Sequence, residues 1–247
     1  MSLATPYLKY ELLRAIRNRR FFILSLGFPV ILYLVIAGPN RTEQDLGGTG
    51  ISAPVYYMVG LVSFGAMGAM LSSGARIANE RSAGWNRQLR LSPLTPRAYL
   101  QAKIVTAYLI SGLTIVVLYV AGAAMGVDLP AGRWLAMTGL ILVGLVPFAA
   151  LGIAAGHVLT PDSIGPATGG AVGLLNLLGG TWFPITSGAL HTIAMCLPSF
   201  WLVQASHVSL GGDGWGITGW LVTAGWTAVL SILAVRAYRR DTQRPDG

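Results

Sequence analysis

The feature that most constrains this chain is a succession of apolar runs, each about as long as a bilayer is thick. A hydrocarbon core of roughly 30 Å is crossed by about 20 helical residues. Five segments meet or nearly meet that length: 21–37, 55–75, 104–127, 134–155 and 217–235. A sixth, 164–178, is shorter but wholly uncharged. Backbone N–H and C=O groups in lipid must be satisfied within the segment that carries them, so such runs form helices. The charged fraction agrees, at 11% against roughly a quarter in a soluble domain. The expected fold class is an all-α polytopic membrane protein.

Charge decides the topology. The net charge of +8 would suggest nucleic acid if it formed a stripe on a soluble domain. Here the basic residues sit in short tracts between apolar runs, so no nucleic-acid partner is expected. Residues 189–208 are apolar enough to tempt a seventh span, but Pro198 breaks them. With six spans both termini share one side. That side then holds five basic residues at the N-terminus, six from Arg76 to Lys103, and Arg236, Arg239, Arg240 and Arg244. Only Arg41 and Arg133 of the 17 lie opposite. Excess Lys and Arg mark cytoplasmic loops, so both termini are expected in the cytoplasm of a cell (inner, plasma) membrane protein. Residues 182–210 then read as a re-entrant helical hairpin on the outside, before the last span.

Two segments are more than connectors. In residues 1–20, Thr5 can cap a helix opening at Pro6. Leu8, Leu12, Ala15 and Ile16 share one face, and Lys9, Arg17, Asn18 and Arg20 lie mainly off it. Such a basic amphipathic helix lies flat in the interface. Residues 76–98 are longer than a simple loop requires. They carry Glu80, Arg81, a turn at Gly84 and the apolar Leu89, Leu91 and Leu94, ended by Pro93 and Pro96. A long loop with buried-type residues docks on something.

The residues here resemble a known family. Glu80-Arg81 followed by Gly84, then Leu89, then Leu91–Pro93, then Lys103 opening an apolar helix, is similar to the ABC-2 type permeases. So is the later string with Gly179-Gly180, Phe183-Pro184, and Leu197-Pro198 before Phe200 and Trp201. The resemblance covers essentially the whole chain, as residues 1–20 plus a transmembrane domain over 21–247. One departure is Trp85, where the family often has Thr or Ser after the glycine.

The resemblance implies the transmembrane permease subunit of an ATP-binding cassette exporter. Glu80, Arg81, Gly84, Leu89, Leu91 and Pro93 would form a coupling element resting on the ATPase. It implies two copies of that ATPase and a second permease copy, as a homodimer or with a sister chain. It also implies external re-entrant residues at Phe183, Pro184, Leu197 and Pro198. The chain has no G-x-x-x-x-G-K-[ST] loop to cradle phosphates, so it is not expected to be an enzyme by itself. It binds no cofactor on this reading, and ATP and Mg belong to the partner. The single Cys196 and three scattered histidines offer no metal site.

The spans carry no ionisable residue at mid-depth, where proton- or sodium-coupled carriers place them. This disfavours a secondary carrier and suggests a small amphiphilic or hydrophobic cargo, drug-like or lipid. Polysaccharide export is the alternative cargo class, and a membrane-anchored sensor the alternative of another class. Gly165, Gly169 and Gly173 repeat at four-residue spacing, as do Gly152 and Gly156. Such spacing permits close helix contact. With Asn176, the first three are the candidate dimer axis, and Met67 and Met70 are candidates for the translocation path.

Overall fold

Proline sets the first turn of helix after helix, where its missing N–H would have no intrahelical partner anyway. The protein, seen in a computed structural model, is described over residues 4–18, 23–84 and 95–243. Among these residues all regular structure is helical. Helix α1 spans Ala4–Arg17. A π-helical turn, Ile23–Gly27, leads into α2 (Phe28–Ala37), with Pro29 in its first turn. Pro54 starts α3 (Ala53–Ser82) and Pro96 starts α4 (Pro96–Ala124). Helices α5 (Ala131–Gly144) and α6 (Val146–Val158) form one apolar run, broken at Leu145 where Pro147 opens the second helix. Pro161 starts α7 (Pro161–Leu178), with a Thr160–Ser163 capping box. Two short helices follow, α8 (Gly188–Met195) and α9 (Pro198–Gln204), and then the long α10 (Gly216–Gln243).

Helix α3 is the centre of the bundle. Its most apolar window is 83% buried, against 22% for α10 at the periphery. It packs on α2, α4, α6 and α7. Its approach to α6 depends on glycine: a Cβ on Gly74 would lie 2.2 Å from the Gly152 carbonyl oxygen, and one on Gly156 2.7 Å from that of Gly74. Gly152 and Gly156 are therefore an intramolecular contact, and small residues here let two backbones touch.

Four helices among the described residues are long and apolar enough to cross a membrane: Ala53–Ser82, Pro96–Ala124, Ala131–Val158 and Gly216–Asp241. The pair Gly188–Met195 and Pro198–Leu210 makes a fifth only if its 100° bend lies within one span. Two of the six expected spans fall short. The first is a shorter apolar helix, Ser25–Ala37, which begins within the π turn. The other, α7, is an 18-residue helix diluted by Pro166, its glycines and Asn176.

The 182–210 segment folds onto the bundle as a small aromatic core of Ile185, Ala194, Phe200, Trp201 and Trp215. Trp201 Nε1 donates to the Met195 carbonyl at 2.9 Å, and Trp226 Nε1 of α10 to that of Cys196 at 2.8 Å, which holds the bend. Helix α1 differs from the sequence expectation. Its buried positions are Glu11 and Ala15, and it tracks α4: Tyr7 stacks near Tyr99, Glu11 meets Lys103, and Ala15 packs with Ile110 and Ala69. A hydrophobic stripe alone could not reveal that the inward face carries a carboxylate.

Candidate functional site

Helical neighbours diverge by about 100° around the axis, and at the end of α3 this separates Glu80 from Arg81. Glu80 is 6% exposed and faces α1 and α4. Its Oε1 accepts from Lys103 Nζ at 2.6 Å and from Arg14 Nη1 at 2.8 Å, and its Oε2 from Tyr99 Oη at 2.7 Å. Lys103 Nζ also donates to Glu11 Oε1 at 2.8 Å, and Arg76 Nη1 approaches the same oxygen at 3.4 Å. Lys103 is 1% exposed. A lysine so deep is stable only because two carboxylates meet it, since a buried charge without partners is very costly. Burial, and then the Glu80 and Glu11 charges, push the Tyr7 phenol well above its ordinary range, so this ring remains a neutral wall of the cluster.

Arg81 faces the other way. Its Nε pairs with Asp241 Oδ1 at 2.9 Å, and its Nη1 donates to the Gly156 and Leu159 carbonyls at 2.8 and 3.3 Å. A cation on the last carbonyls of α6 caps that helix where its dipole is negative. Asp241 Oδ2 lies 2.9 Å from His157 Nδ1. One turn of α3 thus binds α1 and α4 on one side and α6 and α10 on the other.

The remaining candidates separate clearly. Gly84 follows α3 at φ +71°, with open space about its β position. Leu89, Leu91 and Pro93 lie outside the described residues. Glu80, expected in the coupling element that rests on the ATPase, has its carboxylate turned toward Lys103, Arg14 and Tyr99 of the same chain. Met67 and Met70 are fully buried in the core around α3, so the structure does not bring them to an open wall. Asn176 is buried too. Its Nδ2 donates to the Val172 carbonyl at 2.8 Å, and its Oδ1 accepts from Thr181 Oγ1 at 2.8 Å. That bond shapes the turn after α7, which Tyr56 Oη fastens to α3 by donating to the Gly180 carbonyl. Gly180 holds φ +80° there. Phe183 is exposed, Pro184 and Leu197 are partly buried, and Pro198 is buried.

Gly165 and Gly169 do share a feature, an uncharged groove of about 310 Å³ between α2, α3 and α7. Pro29, Phe64, Gly68, Leu71 and Val172 complete most of its wall. Built β positions on Gly165, Gly169, Gly170 and Gly173 meet nothing within 4 Å, so this face of α7 is bare in a single chain.

Sequence reasoning missed Glu11, His157 and Asp241. The available signal was sign. Glu11 is the sole acid within the N-terminal basic tract, and Asp241 follows Arg236, Arg239 and Arg240. An acid kept among so many cations invites a pairing explanation.

An all-helical apolar bundle, charged only at its ends and carrying an open uncharged groove, has the character of a membrane permease. A family model described as "ABC-2 family transporter protein" matches residues 41–236. The chain is also similar to the "Putative transport permease YvfS" of Bacillus subtilis (strain 168). The two are 30% identical over 198 residues, which cover 77% of this chain and 78% of the relative. The chain belongs to the ABC-2 family of transporter proteins. It is a multi-pass membrane protein, the permease subunit of an ABC transporter, and membership implies a partner ATPase subunit.

Proposed function

We propose that this permease exports a small amphiphilic or hydrophobic cargo through the surface formed by α2, α3 and α7. The uncharged groove on that surface carries the proposal: its wall is mainly glycine, alanine, proline, phenylalanine, leucine and valine, the Ser72 and Thr168 hydroxyls in it are spent on their own helix backbones, and such a wall solvates an apolar molecule and would penalise an ionic one. The bare glycine face of α7 suits close packing against a second permease copy, so the groove would lie beside the axis of a pair. Two copies of a separate ATPase would bind ATP and Mg and supply the energy. Six spans then count α2 and α7 as the short ones, and residues 182–210 dip into the outer leaflet without crossing. The distribution of basic residues supports cytoplasmic termini.

Residues 76–98 are the proposed coupling segment. Glu80 and Arg81 act within it as anchors, and Leu89, Leu91 and Pro93 as the surface offered to the motor. The test is reconstitution of the chain with its ATPase in liposomes, reading ATP-dependent movement of a fluorescent amphiphile. Gly68→Trp and Gly169→Trp fill the groove from open β positions. Each should abolish movement, Gly68→Trp with the complex still assembled and Gly169→Trp with pairing of the permease copies weakened as well. Undiminished transport by both variants would remove the groove from the path.

A further inference from the structure

A second cavity, of about 550 Å³, lies between α6 and α10, away from the groove and against the Arg81–Asp241 pair. Its lining is of two kinds. Leu151, Ala154, Val158 and Leu233 form apolar walls, and Val158 is 67% and Leu233 46% exposed. At the end of these walls stand Arg236 and Arg240, four residues apart on one face of α10. Both arginines are exposed, and no ion pair joins either to another described residue. The one acid in the lining, Asp241, is already met by Arg81 at 2.9 Å and His157 at 2.9 Å. His157 lies in the same lining. Its side chain is 2% exposed, Nδ1 is held by Asp241, and Nε2 is buried without a partner.

We propose that this cavity is a binding site for one anionic phospholipid of the cytoplasmic leaflet, with its phosphate between Arg236 and Arg240 and an acyl chain along Leu151, Val158 and Leu233. Charge selects the class, because basic pockets between helices on the cytoplasmic side attract anionic headgroups. The apolar walls select a lipid over free phosphate, which has nothing to place against them. A zwitterionic choline headgroup brings no net charge to the two cations Arg236 and Arg240, so phosphatidylglycerol is the lipid that fits and phosphatidylcholine the one that does not. A headgroup here lies beside the Arg81–Asp241 pair, which joins α10 to the end of α3.

The proposal rests on the cytoplasmic placement of the α6 and α10 ends, but its test does not depend on transport. The full chain, purified in a mild detergent, is titrated with phosphatidylglycerol or phosphatidylcholine, and retained lipid is counted by native mass spectrometry. Phosphatidylglycerol should be retained in preference. Arg236→Gln/Arg240→Gln should weaken its retention ~25-fold, about fivefold for each basic side chain near an anionic headgroup. Lys9→Gln/Arg17→Gln removes two exposed charges of α1 and should retain lipid as wild type does. Should the double α10 variant misfold, the single Arg240→Gln carries the test at about fivefold. Equal retention of phosphatidylcholine, unaltered retention by the α10 variants, or complete displacement by soluble glycerol phosphate would each overturn the assignment.

Discussion

Replacing Glu80 by leucine tests whether this acid belongs to a docking surface or to the inside of the protein. Glu80 accepts hydrogen bonds from Lys103, Arg14 and Tyr99. The change leaves three cations, Arg14, Arg76 and Lys103, with Glu11 as the one carboxylate paired to the cluster in the described structure. Lys103 cannot turn to solvent, because its side chain is 0% exposed. Arg14, at 48%, can, so its share is small. Removing one partner from a buried pair costs about 3–5 kcal/mol. For a chain of this size, 1 kcal/mol moves a melting temperature by about 2–4 °C, which gives a fall of about 10 °C. Thermal melting of the purified protein in detergent is the assay. Glu80→Leu/Lys103→Met, which withdraws the stranded cation together with its partner, should recover a substantial part of the loss. Glu43→Ala, at an exposed position, should be silent. A Glu80→Leu protein that melts within about 2 °C of wild type would refute the inward placement and return this carboxylate to the surface.

Other perturbations test the remaining contacts. Gly74→Ala drives a Cβ onto the Gly152 backbone and should cost about 1–3 kcal/mol by overpacking, whereas Gly112→Ala, with open space, should leave the melting temperature unchanged. Gly169→Leu adds bulk to the bare face of α7. It should leave the fold intact but lower the yield of crosslinked permease pairs, and an undiminished yield would move the pairing surface elsewhere. Leu91→Asp should release the ATPase on pull-down without shifting the melting temperature, and retention of both the ATPase and transport would end the coupling role of that stretch.

Hydropathy is a local property, so the apolar cores of α3, α4, α6 and α10 are legible without neighbours. Their ends are not. Helix α3 runs on to Ser82 through a stretch that reads as a basic loop, because Arg76, Glu80 and Arg81 find partners on α1, α4, α6 and α10. Those partners are up to 160 residues away in the chain, and no window over the sequence could pair them. Glu80 was assigned to the coupling element without its partner for the same reason: nothing local to the segment places Lys103 against it. Met67 and Met70 share a face with the groove wall by spacing alone, yet packing decides which of α3's sides is covered. The glycines divided likewise. Gly152 and Gly156 face a backbone and Gly165 and Gly169 face a groove, and the repeat is identical in both.

The Glu80-Arg81 pair takes on a meaning that its spacing did not carry. Segment 85–94 leaves from the end of α3 and returns into α4, and these two helices are joined by the Glu80–Lys103 and Glu80–Tyr99 contacts immediately beyond it. A force applied to that segment therefore meets one stiff body, α3 with α4 and the docked α1. Arg81 carries the same displacement to α6 through two carbonyls and to α10 through Asp241. Because α3 also forms the groove wall through Phe64, Gly68 and Leu71, a tilt imposed at its charged end shifts that wall relative to α2 and α7. If the groove carries the cargo and residues 76–98 meet the ATPase, as proposed, motion of the ATPase would reach the cargo through rigid displacement of packed helices, with no ionisable group needed in the groove itself.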